Sequence, residues 1–230
     1  MLVLALDTAT KVCSVALARD GELLAEYNVT MGFTHSESLL PQIDQIFART
    51  GIKKSEVNQV AVSIGPGSFT GLRIGLATAE AIAYALHCSI CGVNTIMSMT
   101  YNLPLENIYL MPVLDAQKGN YYRGIYVWEQ GKLVEKQAIS IVSGQALLQE
   151  AAALSGKVML LGECTKIASL GLPANTELAA AQLRMPHAGA VALAAQNKMC
   201  IFGDAIFAMA PYYLRQSEAE ELWKKKHPSA

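Results

Sequence analysis

The chain has 230 residues, 52% of them hydrophobic, with 18 Lys and Arg against 19 Asp and Glu and a formal net charge of −1. That length and apolar content predict a globular protein of one large or two small domains. The balanced charge excludes a protein that grips nucleic acid mainly by itself, because such a surface needs a basic excess to displace phosphate counterions.

The amino terminus enters directly into Leu2-Val3-Leu4-Ala5-Leu6-Asp7, without the basic and small-residue pattern of a secretory signal. Three β-rich segments are predicted at residues 2–7, 13–18 and 23–29, with Asp20-Gly21 favouring a tight hairpin turn at the second connection. A helix follows, opened by Thr34-His35-Ser36-Glu37 as a capping box and carried by Leu39, Leu40, Ile43, Ile46 and Phe47 at helical spacing, with Pro41 placed to kink it. Residues 57–64 read as a buried strand. The loop Gly65-Pro66-Gly67-Ser68-Phe69-Thr70-Gly71 then leads into a long helix ending near His87, so the predicted order is βββαβα. Its apolar run at residues 74–86, broken by Thr78 and Glu80, falls short of the roughly 20 residues a spanning helix needs, and no membrane contact is expected.

The same pattern returns at a nearly constant offset. Met111-Pro112-Val113-Leu114-Asp115 matches Val3-Leu4-Ala5-Leu6-Asp7, and Gln130-Gly131-Lys132-Leu133 matches Asp20-Gly21-Glu22-Leu23. A helix at 145–154 and a strand at 158–161 ending in Gly162 complete the second copy. Self-similarity of this kind is the trace of a duplication, so the expected fold is α/β with two βββαβα subdomains. The boundary is expected near Tyr101–Asn107, giving residues 1–101 and 102–230, with a charged terminal helix from Ser217 through Lys224-Lys225-Lys226 packing back on the first half.

Asp7 and Asp115 each end a first strand, where they are expected to face each other across a cleft. With Thr8, they suit magnesium or phosphate; alternatively each caps its own turn through backbone N–H groups. The glycine loop lacks the spacing and the Lys-Ser or Lys-Thr of a Walker motif, which leaves a turn whose amides meet an anion or a close neighbour. Cys88-Ser89-Ile90-Cys91 is a CxxC without a second pair, and the five cysteines in all form no disulfide framework; they read as reduced structural thiols. The four histidines include no HxxxH or HExxH, so no metal site is expected, and His35 reads as a solvated or capping side chain. The second helix is apolar on two faces, Ile74, Ala77, Ala81 and Ala85 on one and Leu72, Gly75, Ala79, Ile82, Ala83 and Leu86 on the other. Gly71, Gly75, Ala79 and Ala83 recur every fourth position and would admit a closely packed helix, either of a partner or of a second layer of this chain.

The sequence Gly65-Pro66-Gly67-Ser68-Phe69-Thr70-Gly71-Leu72-Arg73-Ile74-Gly75 resembles the signature of the bacterial TsaB (YeaZ) family. Leu6-Asp7-Thr8-Ala9-Thr10, His35-Ser36-Glu37 with Leu39-Leu40-Pro41, Asp115-Ala116 with Gly119, and Pro211-Tyr212-Tyr213-Leu214-Arg215 carry the resemblance over nearly the whole chain. The segment Asn120-Tyr121-Tyr122 is more aromatic than the family pattern. The resemblance implies an actin/Hsp70-like (ribonuclease-H-like) duplicated fold and a cytoplasmic, non-catalytic subunit that needs no cofactor. Its implied partners are a homologous TsaD-like catalytic subunit and a TsaE-like P-loop ATPase, in a complex transferring threonylcarbamoyl from its adenylate to N6 of the tRNA adenosine beside the anticodon. tRNA would be met only through that complex. The HxxxH pair of the catalytic relative is missing here. The resemblance further implies packing of the first two helices against a partner in a heterodimer or a competing homodimer, through Leu39, Ile43, Leu72, Gly75, Leu76, Ala79, Ile82 and Ala83. Two other readings stay open: an autonomous ATP-dependent kinase or ATPase using Asp7 and Asp115, and a metal nuclease of the ribonuclease-H type.

Overall fold

The computed structural model describes residues 1–30, 35–196, 198–215 and 223. The chain starts with the antiparallel meander β1 (Leu2–Asp7), β2 (Val12–Arg19) and β3 (Glu22–Thr30), followed by α1 (His35–Thr50), β4 (Gln59–Gly65), α2 (Phe69–Ala85) and β5 (Ser89–Asn94). Asp20 and Gly21 both take positive φ, 51° and 94°, the backbone that matches the twist of a two-residue hairpin. β1 pairs antiparallel with β2, Asp7 opposite Ser14, and parallel with β4, Leu6 opposite Val62, so the sheet order is β3-β2-β1-β4-β5. α1 runs through Pro41 as one helix.

After α3 (Thr95–Ser98) come β6 (Tyr109–Asp115), β7 (Asn120–Glu129), β8 (Lys132–Ser143), α4 (Gly144–Ala153), β9 (Val158–Gly162), α5 (Thr165–Ala168) and β10 (Thr176–Leu178). Their order, read from the β8 edge, is β8-β7-β6-β9-β10, the first sheet repeated strand for strand. Even the hairpin repeats, since Gln130 and Gly131 stand at φ 52° and 70°. This is the duplicated actin-like architecture, with each half carrying a fifth strand beyond the predicted βββαβα unit.

α6 (Ala181–Arg184) and α7 (Ala188–Ala195) follow. α7 packs on the first sheet, so residues that the sequence reading assigns to the second half complete the first. The physical reason lies in the alternation of β1. Leu4 and Leu6 point into the core under α1 and α2, while Val3 and Ala5 point to the opposite face, which needs a cover of its own. Ala5, Ala16, Ala18 and Ala61 on that face are small, as are most residues of α7, and the helix therefore lies close. Its N-terminal amides are satisfied from the sheet: Ala188 N–H donates to Ser14 Oγ at 2.7 Å and Gly189 N–H to Glu26 Oε1 at 2.7 Å. On the other face, burial of Leu4, Leu6 and Leu17 contributes roughly 1.5–3 kcal/mol apiece relative to exposure.

The chain then runs back across the first half. Ile201 pairs with Ile90 beside β5, a 3-10 turn at Gly203–Ala208 packs on α2, and the Tyr212 N–H donates to the Ile64 carbonyl at 2.7 Å. The expected terminal helix from Ser217 through Lys226 lies outside the described residues, apart from Trp223, as does the Thr34 cap. Among the described residues, no helix is long and apolar enough to cross a membrane.

Candidate functional site

A cleft of ≈ 660 Å³ opens between the two halves. One wall carries Thr10, Lys11, His35 and the turn Pro66–Thr70, the other Asp115, Gln117 and Glu163, and the chain from Tyr212 to Arg215 crosses between them. Asp115 lies on this cleft, whereas Asp7 and Thr8 lie behind its wall, 0% and 1% exposed. The expectation that Asp7 and Asp115 face each other across open space is corrected by this placement. Both aspartates close their turns in the same way. Asp7 Oδ1 accepts from the Ala9 N–H at 3.0 Å, and Asp115 Oδ1 from the Gln117 N–H at 2.6 Å, so the duplication extends to this detail.

Asp7 also accepts a hydrogen bond from the Ser63 hydroxyl on the neighbouring strand β4. Burial dominates its electrostatics and pushes the carboxyl from 3.8 up to about 6, against the opposing pull of the Ser63 and Ala9 hydrogen bonds. Asp115 is half-buried; its Oδ2 meets Lys166 Nζ at 3.2 Å, a contact that raises the lysine above its ordinary range. Lys166 is largely exposed, so water screens the pair. Among the described residues, no three His, Cys, Asp or Glu side chains stand together as metal ligands.

The glycine loop serves an interlock. Ser68 caps α2 by accepting from the Gly71 N–H at 3.2 Å, and its own N–H donates to the Ala9 carbonyl at 2.7 Å. A Cβ at Gly71 would stand 2.0 Å from the Thr8 carbonyl oxygen, and one at Gly75 2.3 Å from the Thr8 hydroxyl. The first two recurring small residues, Gly71 and Gly75, thus admit Thr8 at the end of β1, where the sequence reading expects a second helix. His35, read as solvated or capping, instead joins α1 to this turn through Nε2 and the Thr10 carbonyl at 2.8 Å. A carbonyl only accepts, so Nε2 carries the proton.

The crossing segment is held by stacking. The Tyr213 ring lies on Phe69 at a centroid distance of 4.7 Å, the Arg73 guanidinium sits 4.0 Å from the same ring centre, and Arg73 Nε donates to the Tyr213 hydroxyl at 3.1 Å. Arg215 Nη1 donates to the Ala116 carbonyl at 2.7 Å on the second half. These contacts carry the segment from Tyr213 to Arg215 from one half to the other. The motifs Gly-Leu-Arg and Pro-Tyr-Tyr-Leu-Arg are both visible in the sequence, but nothing in their spacing reveals that they meet.

Of the residues expected at a partner surface, Leu39, Ile43, Leu72, Leu76, Ala79 and Ala83 are buried within the first half, Gly75 is buried against Thr8, and Ile82 is half-buried. They form the inner face of α1 and α2. Exposed instead are Ala77, Ala81, Tyr84 and Ala85 on α2, and Leu40 and Pro41 on α1. The helical wheel separates these faces except at Ile74, which it groups with Ala77, Ala81 and Ala85 but which packs against the core, and it does not say which face meets the sheet.

A family model described as TsaD: tRNA N6-adenosine threonylcarbamoyltransferase matches residues 31–223. The tRNA threonylcarbamoyladenosine biosynthesis protein TsaB of Bacillus subtilis is 26% identical, over 97% of this chain and 98% of its own length. That of Escherichia coli is 28% identical, over 98% of each. Among solved structures, YeaZ from Pseudomonas aeruginosa superposes with a TM-score of 0.76 at 25% identity, covering 93% of this chain and 99% of its own.

Proposed function

The chain belongs to the tRNA N6-adenosine threonylcarbamoyltransferase family, in its TsaB (YeaZ) branch, and from that premise we propose that it serves as the non-catalytic partner of a TsaD-like transferase. In this role it activates the subunit that moves threonylcarbamoyl from its adenylate to N6 of the tRNA adenosine beside the anticodon. The observation that carries the reading is the enclosure of Asp7. The carboxylate that ends the first strand is sealed by Ser63 and by its own turn, so it cannot reach a metal ion or phosphate in the cleft. Asp115, on the cleft itself, is engaged by Gln117 and Lys166.

The surface offered to the transferase is the outward stripe Ala77, Ala81, Tyr84 and Ala85 on α2, beside Leu40 and Pro41 on α1. Small apolar residues on an exposed helix face allow another helix to approach closely. A homodimer through the same stripe would compete with the heterodimer, a TsaE-like ATPase would join the assembled pair, and tRNA would be met through the complex, in the cytoplasm.

Light-scattering chromatography of the chain mixed with the TsaD-like protein of its own organism tests this reading. A heterodimer mass is expected. No complex with a folded, active partner would overturn it. One observation favours a second reading, that of an autonomous ATPase: the ≈ 660 Å³ cleft falls in the size range of small-molecule pockets. ATP hydrolysis by the isolated chain above background would establish that reading instead.

A further inference from the structure

The CxxC of the sequence does not form a pair in space. Successive strand residues alternate between faces, and Cys88 belongs to the core under α2 while Cys91 belongs to the core under α7. Cys91 has a different neighbour. Ile90 and Ile201 exchange both backbone hydrogen bonds, each at 2.9 Å, as an antiparallel bridge. The adjoining residues, Cys91 and Cys200, therefore occupy the next cross-strand position, where the backbones come closest and both side chains point to one face. Cys200 packs on the apolar cluster that contains Cys91, and its sulfur accepts a hydrogen bond from Gln59 Nε2 at 2.9 Å. A cross-strand pair of this kind falls within the Cα separations that a disulfide spans. Cys91 is 0% exposed, whereas Cys200 is partly open to solvent.

We propose that Cys91 and Cys200 are a peroxide-sensitive pair whose disulfide staples the returning chain to the edge of the first sheet. Hydrogen peroxide reaches Cys200 first, because its partner is covered. The Cys200 sulfur attacks the O–O bond, gaining one oxygen as a sulfenic acid while the other leaves as water. The Cys91 sulfur then displaces that hydroxyl, its proton leaves with the hydroxyl as a second water, and the S–S bond forms. Two thiols are oxidised and one peroxide is reduced to two waters. Burial, reinforced by the neighbouring Cys200, pushes the Cys91 thiol up to about 11, which keeps Cys91 from being the first of the two to react with peroxide. The staple fixes the start of the segment that carries Phe202, Phe207 and Tyr213 across α2 and the cleft.

The test uses the full-length chain exposed to hydrogen peroxide, then denatured, alkylated and mapped by mass spectrometry. The expected product is one peptide pair linked through Cys91 and Cys200, with Cys13, Cys88 and Cys164 alkylated. The oxidised chain should melt about 5–10 °C higher, returning to its starting value with a reducing thiol. Cys200→Ser, at a partly exposed site, should abolish both the link and the shift. Conversion of Cys200 to the sulfinic acid with Cys91 still alkylated, or a link between Cys88 and Cys91, would overturn the proposal. The mapping uses the unaltered chain, so the result does not depend on a variant at buried Cys91 folding.

Discussion

The Thr8 hydroxyl donates to the Gly71 carbonyl at 2.7 Å, tying the turn after the first strand to the opening of α2 from 63 positions away in the chain. The approach is close enough that Gly71 has no room for a side chain, its Cβ site being 2.0 Å from the Thr8 carbonyl oxygen. The group in the way is the Thr8 backbone, so no flexible side chain can move aside to make room. Gly71→Ala is expected to destabilise the chain by about 3 kcal/mol through this overpacking. The urea midpoint measures it, and an unchanged midpoint would contradict the interlock.

Asp7 gives a pH dependence with a defined sign. Its carboxyl stands at about 6 in the folded chain and at the ordinary 3.8 when burial is lost. The folded state therefore holds the proton more tightly. The stability this contributes is fully present below 3.8, declines as pH rises through 6, and is missing at neutral pH, a difference on the order of 3 kcal/mol. Asp7→Asn keeps an oxygen for the Ala9 N–H and carries no charge. It is expected to be more stable than the parent at about pH 8, with the advantage vanishing toward pH 4. A gap that stayed constant over this range would show that burial of the charge is not responsible.

The stack of Tyr213 on Phe69 should be energetically coupled, since an aromatic pair contributes roughly 0.5–1.5 kcal/mol beyond its buried area. In a double-mutant cycle, Phe69→Ala and Tyr213→Ala together are expected to cost about 1 kcal/mol less than the sum of the two single changes. Strict additivity would mean that the rings touch without stabilising the crossing segment.

Two alanines on α2, two positions apart, should behave oppositely. Ala81 is exposed and Ala79 is 0% exposed. Ala81→Arg is expected to leave the melting temperature within about 2 °C while weakening association with the TsaD-like partner at least about tenfold. Ala79→Arg would bury a charge and is expected to prevent folding. Light scattering and thermal melting, run on both variants, separate the outcomes; undiminished association of Ala81→Arg would move the interface elsewhere.

Much of the fold can be read in the sequence because its signals are local. The β-rich run Leu2–Asp7, the Asp20-Gly21 turn and its repeat at Gln130-Gly131 each depend on a few neighbouring residues, and the duplication makes the second set check the first. α7 escapes such reading. Ala188–Ala195 is apolar all round with no polar stripe to orient it, and its N-terminal amides are satisfied by Ser14 and Glu26 from the far end of the sequence. The site is partly legible for the same reason. The turn-closing role of Asp7 and Asp115 follows from their own neighbours, whereas the enclosure of Asp7 depends on Ser63, and the bonding of His35 depends on the Thr10 carbonyl.

The dependence of the first sheet on α7 has a consequence for how the protein is made. Synthesis proceeds from the amino terminus, so β1 to β5 leave the ribosome long before residues 188–195 exist. Until then Val3, Ala5, Ala16 and Ala61 face solvent without their cover. The first half of the protein is thus the last to be finished, and its nascent apolar face must be tolerated, or shielded by a chaperone, while the chain between β5 and α7 is being translated.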